Sequence, residues 1–138
     1  MSPDTVAFAS PVFDPLASAA VLTQARLGQL PRPLDLPAAL RPQDAAQAYA
    51  VQDAVVQARG KQLFLTLQPA CAVCHTLQAA GAQGQVGPVL DEIKPDANRV
   101  LSALRNGIGA MPSFAEKMTE TDMQAVARFV AHSTGAAP

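Results

Sequence analysis

The plainest chemistry in the chain lies in five consecutive residues, Cys71, Ala72, Val73, Cys74 and His75. Two thiols on one helical turn can add to the two vinyl groups along one edge of a porphyrin, and the next residue can turn its imidazole onto the iron. A C-x-x-C-H segment therefore reads as a c-type haem attachment site, with Cys71 and Cys74 as thioether donors and His75 as proximal ligand. Three other uses of the same residues compete. A structural zinc site would need two further Cys or His, and only His132 remains in the chain. A thioredoxin-like redox pair would need a β-α-β setting, and no alternating strand pattern stands out in the sequence. A disulfide across two residues would close a tight ring and restrain almost none of the chain.

A second ligand to such an iron has several candidates. Met111, Met118 and Met123 follow Gly109, and Met118 and Met123 fall where a final helix needs apolar residues. Met111 lies between a Gly-rich and a Pro-containing stretch, poorly placed for helix packing but free to bring a thioether across a haem face. His132 is the rival ligand, although its place on the tail of the final helix suits a solvated imidazole at a helix C-terminus.

The elements that must position these groups are read from periodicity and breakers. Residues 1 to about 43 are rich in Pro and Ala and form an N-terminal extension, with a helix expected from Leu16 to Leu30 and an extended strap from Leu30 to Pro37. From Pro42, which suits a first helical turn, good helix formers run to about Leu67. Gly60 interrupts them at a cost of roughly 1 kcal/mol relative to Ala, so a close approach by another helix is expected there. The stretch from Gly81 to Lys94 reads as irregular, and Asp96 should cap a helix that stops at Gly107. Thr119 and Asp122 have capping-box spacing. Behind them Met123, Val126, Ala127 and Val130 recur with helical period up to Gly135. The expected organisation is all-α, with a domain over residues 44 to 138 behind the extension.

The motif, followed in order by Gly87-Pro88-Val89-Leu90 and Met111-Pro112-Ser113-Phe114, resembles class I cytochromes c, mitochondrial-like and bacterial, over about residues 53 to 134. The resemblance implies the class I fold, in which helices surround one covalently bound haem c. It implies that the Pro88 carbonyl accepts the proton of the imidazole nitrogen that does not bind iron, orienting His75. It implies Met111 as distal ligand, and it places Gly60 and Phe64 on the N-terminal helix against Phe129 on the C-terminal one. For the haem propionates Arg99, Arg105 and Asn106 are only the polar groups nearest to the appropriate loop. A second, weak similarity links Asp44 to Gln52 with the leading helix of bacterial 2-keto-4-pentenoate hydratases, over about residues 16 to 57. None of that family's metal-binding carboxylates follows, so its activity is not implied.

Composition agrees with a small haem domain. With five Phe, one Tyr and no Trp in 138 residues, large rings are scarce, and a porphyrin would supply the missing apolar volume. A formal net charge of −1 disfavours nucleic acid and anionic membrane as partners, and no apolar run is long enough for a transmembrane helix. The expected function is single-electron transfer between a redox protein donor and acceptor, with no catalytic residue. A haem-bearing acceptor subunit of a periplasmic dehydrogenase, and a haem peroxidase or ligand sensor, are the alternatives. Haem attachment normally follows export, so a periplasmic location is expected, although no signal peptide is visible: Met1 to Asp4 lacks a basic region, and Pro11, Asp14 and Pro15 interrupt the apolar stretch behind it.

Overall fold

The computed structural model describes residues 13–26, 29 and 36–136. The chain forms two compact units, Met1–Gln52 and Asp53–Pro138. In the first, α1 (Pro15–Arg26) starts at Asp14, whose carboxylate accepts from the Leu16 and Ala17 amides at 2.9 and 3.2 Å. Asp14 and Pro15, which break the apolar stretch in sequence, are therefore a helix start. Ser18, fully buried, donates its hydroxyl to the Leu40 carbonyl at 2.8 Å and so ties α1 to a 3-10 turn at Ala38–Leu40. Of the expected helix to Leu30 and strap to Pro37, residues 27, 28 and 30–35 lie outside the described residues.

Helix α2 (Ala45–Thr66) begins three residues after Pro42, because the Asp44 carboxylate takes the Gln47 amide at 2.8 Å and acts as its cap. In the second unit it is followed by α3 (Cys71–Cys74), a hairpin of β1 (Thr76–Leu77) and β2 (Ala82–Gln83), α4 (Leu90–Ile93), α5 (Ala97–Asn106) and α6 (Glu120–Thr134). The hairpin pairs Thr76 with Gln83 and Leu77 with Ala82, antiparallel. Two-residue strands are too short to leave an alternating pattern, so this segment, and the single turn of α4 within the stretch expected to be irregular, depart from the sequence reading. The fold is otherwise helical, as expected.

The caps of α5 and α6 are local and strong. Asp96 accepts from the Arg99 amide at 2.8 Å, and the Thr119 hydroxyl accepts from the Asp122 amide at 3.2 Å. The reciprocal half of the box at Thr119 is replaced: the Asp122 carboxylate takes the Arg59 guanidinium of α2 at 3.0 Å. Gly107 and Gly135 end α5 and α6 with φ of +72° and +67°. Met118 lies just before the Thr119 cap, not on the helix, yet it is buried, as is Met123 on it.

The core of the second unit gathers Phe64, Leu77, Leu104, Val126 and Val130, each almost wholly shielded. Gly60 is its point of closest helix approach. A Cβ there would lie 2.2 Å from the Ala125 carbonyl oxygen and 2.5 Å from the Phe129 Cβ, so α2 and α6 cross in contact through their backbones. One turn on, the Phe64 and Phe129 rings meet edge to face, with centroids 6.1 Å apart and planes at 67°.

Helix propensity alone favours Ala over Gly by about 1 kcal/mol. Overpacking against an unyielding backbone costs about 1–3 kcal/mol. Gly60→Ala is therefore expected to lower the urea midpoint of the haem-loaded protein. A raised midpoint would show that propensity wins and that the helices are not in close contact there.

Candidate haem site

The five-residue motif is one helical turn that ends in an extended residue. The His75 amide donates to the Cys71 carbonyl at 2.9 Å, and His75 itself leaves the helix with φ −109° and ψ 141°. The chain turns back through the β hairpin and runs close against the motif. The Gly84 amide donates to the His75 carbonyl at 3.2 Å, the Thr76 hydroxyl to the Gly84 carbonyl at 2.8 Å, and the Gly87 amide to the Cys74 carbonyl at 2.8 Å. Side chains are excluded at both glycines. A Cβ on Gly84 would sit 2.5 Å from the Cys74 carbonyl carbon and one on Gly87 2.5 Å from His75 Cε1, in contact with the imidazole.

This close approach brings the Pro88 carbonyl to 3.0 Å from His75 Nδ1. A carbonyl oxygen can only accept, so Nδ1 carries the hydrogen and, in the neutral ring, Nε2 keeps its lone pair. Burial pushes the Cys71 thiol up to about 11, with a smaller opposing effect from a backbone hydrogen bond. A reactive redox pair has the opposite displacement.

Met111 is held by its backbone from two directions. Its amide donates to the Ile108 carbonyl at 2.9 Å and its carbonyl accepts from the Ile108 amide at 3.0 Å. Gly107 lies so close that a Cβ on it would be 2.7 Å from the Met111 carbonyl oxygen. The loop is tied to α5 by the Phe114 amide on the Leu104 carbonyl at 2.7 Å and by the Ser113 hydroxyl on the Arg105 carbonyl at 2.6 Å.

Cys71, Cys74, His75, Pro88 and Met111 line one cavity of about 320 Å³, walled mainly by apolar side chains including Phe64, Leu90 and Phe114. Met118, Met123 and His132 are not on its wall; His132 is exposed on the last turn of α6. Arg99 lines the cavity, whereas Arg105 and Asn106 do not. Arg105 pairs instead with Glu120, Nε to Oε2 at 3.2 Å with a second, shorter contact from its terminal nitrogen. That hydrogen bond raises the Arg105 pKa and lowers that of Glu120. Gly84 carried no signal beyond membership of a glycine cluster, and its role depends on where the hairpin returns.

The apolar lining, with two thiols, an imidazole and a thioether on it, fits the donor set of a covalently attached porphyrin. Among the described residues no three His, Cys, Asp or Glu side chains converge. Imidazole nitrogen and thioether sulfur are both established axial donors to haem iron.

Residues 56–130 match the family model described as cytochrome c oxidase, cbb3-type, subunit III, and the chain belongs to that family. It is a class I c-type cytochrome. The c-type cytochrome SorU from Sinorhizobium meliloti is a solved relative, 49% identical, with a TM-score of 0.56 over 58% of this chain and 92% of that one. No curated protein sequence matches the chain. A c-type cytochrome domain carries covalently bound haem c, and Cys71 and Cys74 are the two thiols available to attach it.

Gly87→Ala is expected to push the His75 ring out of its place. The haem-loaded variant should lose about 1–3 kcal/mol of stability and change its Soret circular dichroism while its far-ultraviolet signal stays. An unchanged Soret signal would mean that the ring is not confined by the glycine.

Proposed function

We propose that the protein is a single-electron carrier in which His75 and Met111 are the axial ligands of one haem c. The observation that carries this reading is the Nδ1 hydrogen bond to the Pro88 carbonyl at 3.0 Å, which leaves Nε2 as the donor on a cavity that Met111 also lines. When bound, haem c supplies a one-electron ferric–ferrous couple. His75 would hold the iron through Nε2, and the Pro88 carbonyl fixes its tautomer and makes the ring more electron-rich. Met111 would supply the second ligand, a soft thioether of the kind that favours the ferrous state. With His75 and Met111 as its ligands, a bound haem would offer no position for substrate, and the protein would pass electrons between a donor and an acceptor protein. Cys71 and Cys74 hold the prosthetic group, and Phe64, Leu90 and Phe114 keep water away from it.

The surface around the site supports docking by apolar contact. Val73, within the motif but off the cavity wall, is 65% exposed. With a net charge of −1, association with redox partners should depend only modestly on salt. Residues 44–138 act as the cytochrome domain and residues 1–43 as an extension to it, and the site of action is the periplasm, where haem is attached.

The ligand assignment is tested on the ferric protein by its methionine-to-iron charge-transfer band. The band should be present, and Met111→Ala should abolish it and open the iron to added imidazole. A wild-type protein without the band, or a variant that keeps it, would contradict Met111 as ligand.

A further inference from the structure

Haem c carries two propionates, both ionised at neutral pH, and a carboxylate taken from water without a partner is strongly disfavoured. The wall of the cavity is nearly free of charge. Apart from His75, the one ionisable nitrogen side chain lining it among the described residues is Arg99, on the first turn of α5. The other two polar groups near this loop are committed elsewhere. Arg105 is paired with Glu120, and the Asn106 amide donates to the Ser102 hydroxyl at 3.3 Å. Arg99 differs from both. Its backbone amide is held by the Asp96 carboxylate at 2.8 Å, which fixes where the residue stands, while its guanidinium has no ion pair or hydrogen bond among the described residues. A cation positioned by a helix cap, exposed, unpartnered and lining an otherwise apolar cavity is arranged to receive an anion from inside that cavity.

We infer that Arg99 binds a haem propionate and, by balancing its charge beside the iron, holds the reduction potential up. This rests on the haem reading above and extends it to a residue outside the attachment motif and the axial ligands. Guanidinium and carboxylate are matched in shape, so the contact can be a two-bonded fork that an ammonium cannot reproduce. Ferric haem carries one more positive charge than ferrous haem. A propionate left without its counter-charge stabilises the ferric form, so loss of Arg99 lowers the potential.

The experiment compares haem-loaded wild type with Arg99→Gln, Arg99→Lys and Arg105→Gln. Haem content is fixed by the pyridine haemochrome spectrum, and two properties are then read: the propionate bending mode in the resonance Raman spectrum and the midpoint potential. Arg99→Gln should move the bending mode and lower the potential. Arg99→Lys should recover most of the potential but only part of the vibrational shift, and Arg105→Gln should leave both at their wild-type values. Wild-type values in Arg99→Gln, or an equal shift in Arg105→Gln, would overturn the assignment. Should Arg99→Gln not accumulate with haem, Arg99→Lys decides, and an unmoved bending mode in it would equally overturn the proposal. Failure of the wild type to give a haemochrome spectrum would instead overturn the haem reading itself.

Discussion

Everything the site can do depends on how closely the returning chain lies against the C-x-x-C-H turn. Gly84 packs on the Cys74 and His75 backbone and Gly87 against the imidazole at Cε1, each at a distance where a Cβ would collide. Only that proximity lets the Pro88 carbonyl reach Nδ1 at 3.0 Å. A hydrogen bond of this kind is worth only about 1 kcal/mol to stability. Its consequence for the site is larger, because it selects the tautomer in which Nε2 keeps its lone pair. The hairpin exists to make this approach: two short strands reverse the chain within a few residues of His75 and deliver the glycines to the motif.

The Met111 part of the cavity wall is fixed by a different kind of constraint. Met111 belongs to an irregular loop, and irregular backbone is held in place only when its polar groups are satisfied. Here the loop closes on itself between Ile108 and Met111 and is bonded to the end of α5 through Leu104 and Arg105. Helix α5 packs in turn on α6, and α6 is locked against α2 at Gly60, at the Phe64 and Phe129 rings and at the Arg59–Asp122 pair. Phe64 belongs both to this helix crossing and to the cavity wall. Helix packing and the placement of the haem pocket are thus one problem, solved at the same residues.

Features governed by local chemistry were legible in the sequence. The Asp96 and Thr119 caps, the glycine stops and the apolar face of α6 each depend on residues within one or two turns, and Gly60 could be read as a misfit that demanded a partner. The His75–Pro88 contact and the Phe64–Phe129 pairing were legible only through resemblance to a family, since nothing in the spacing itself brings those residues together. The hairpin was not legible because its strands are shorter than any alternation. Asp122 was read as half of a capping box, but a charged guanidinium from another helix is the better donor, and that donor is visible only in the fold. Arg99, Arg105 and Asn106 stand as equals in sequence; in the fold Glu120 of α6 takes Arg105, and the Ser102 hydroxyl within α5 takes Asn106.

The central claim is that Cys71 and Cys74 bind one haem covalently beside His75, and intact mass under denaturing conditions tests it most directly. Protein produced in the periplasm of a host that matures c-type cytochromes should retain the mass of one haem after unfolding, and proteolysis should confine that added mass to the fragment holding residues 71–75. Recovery of the unmodified chain mass from such a host would contradict the account.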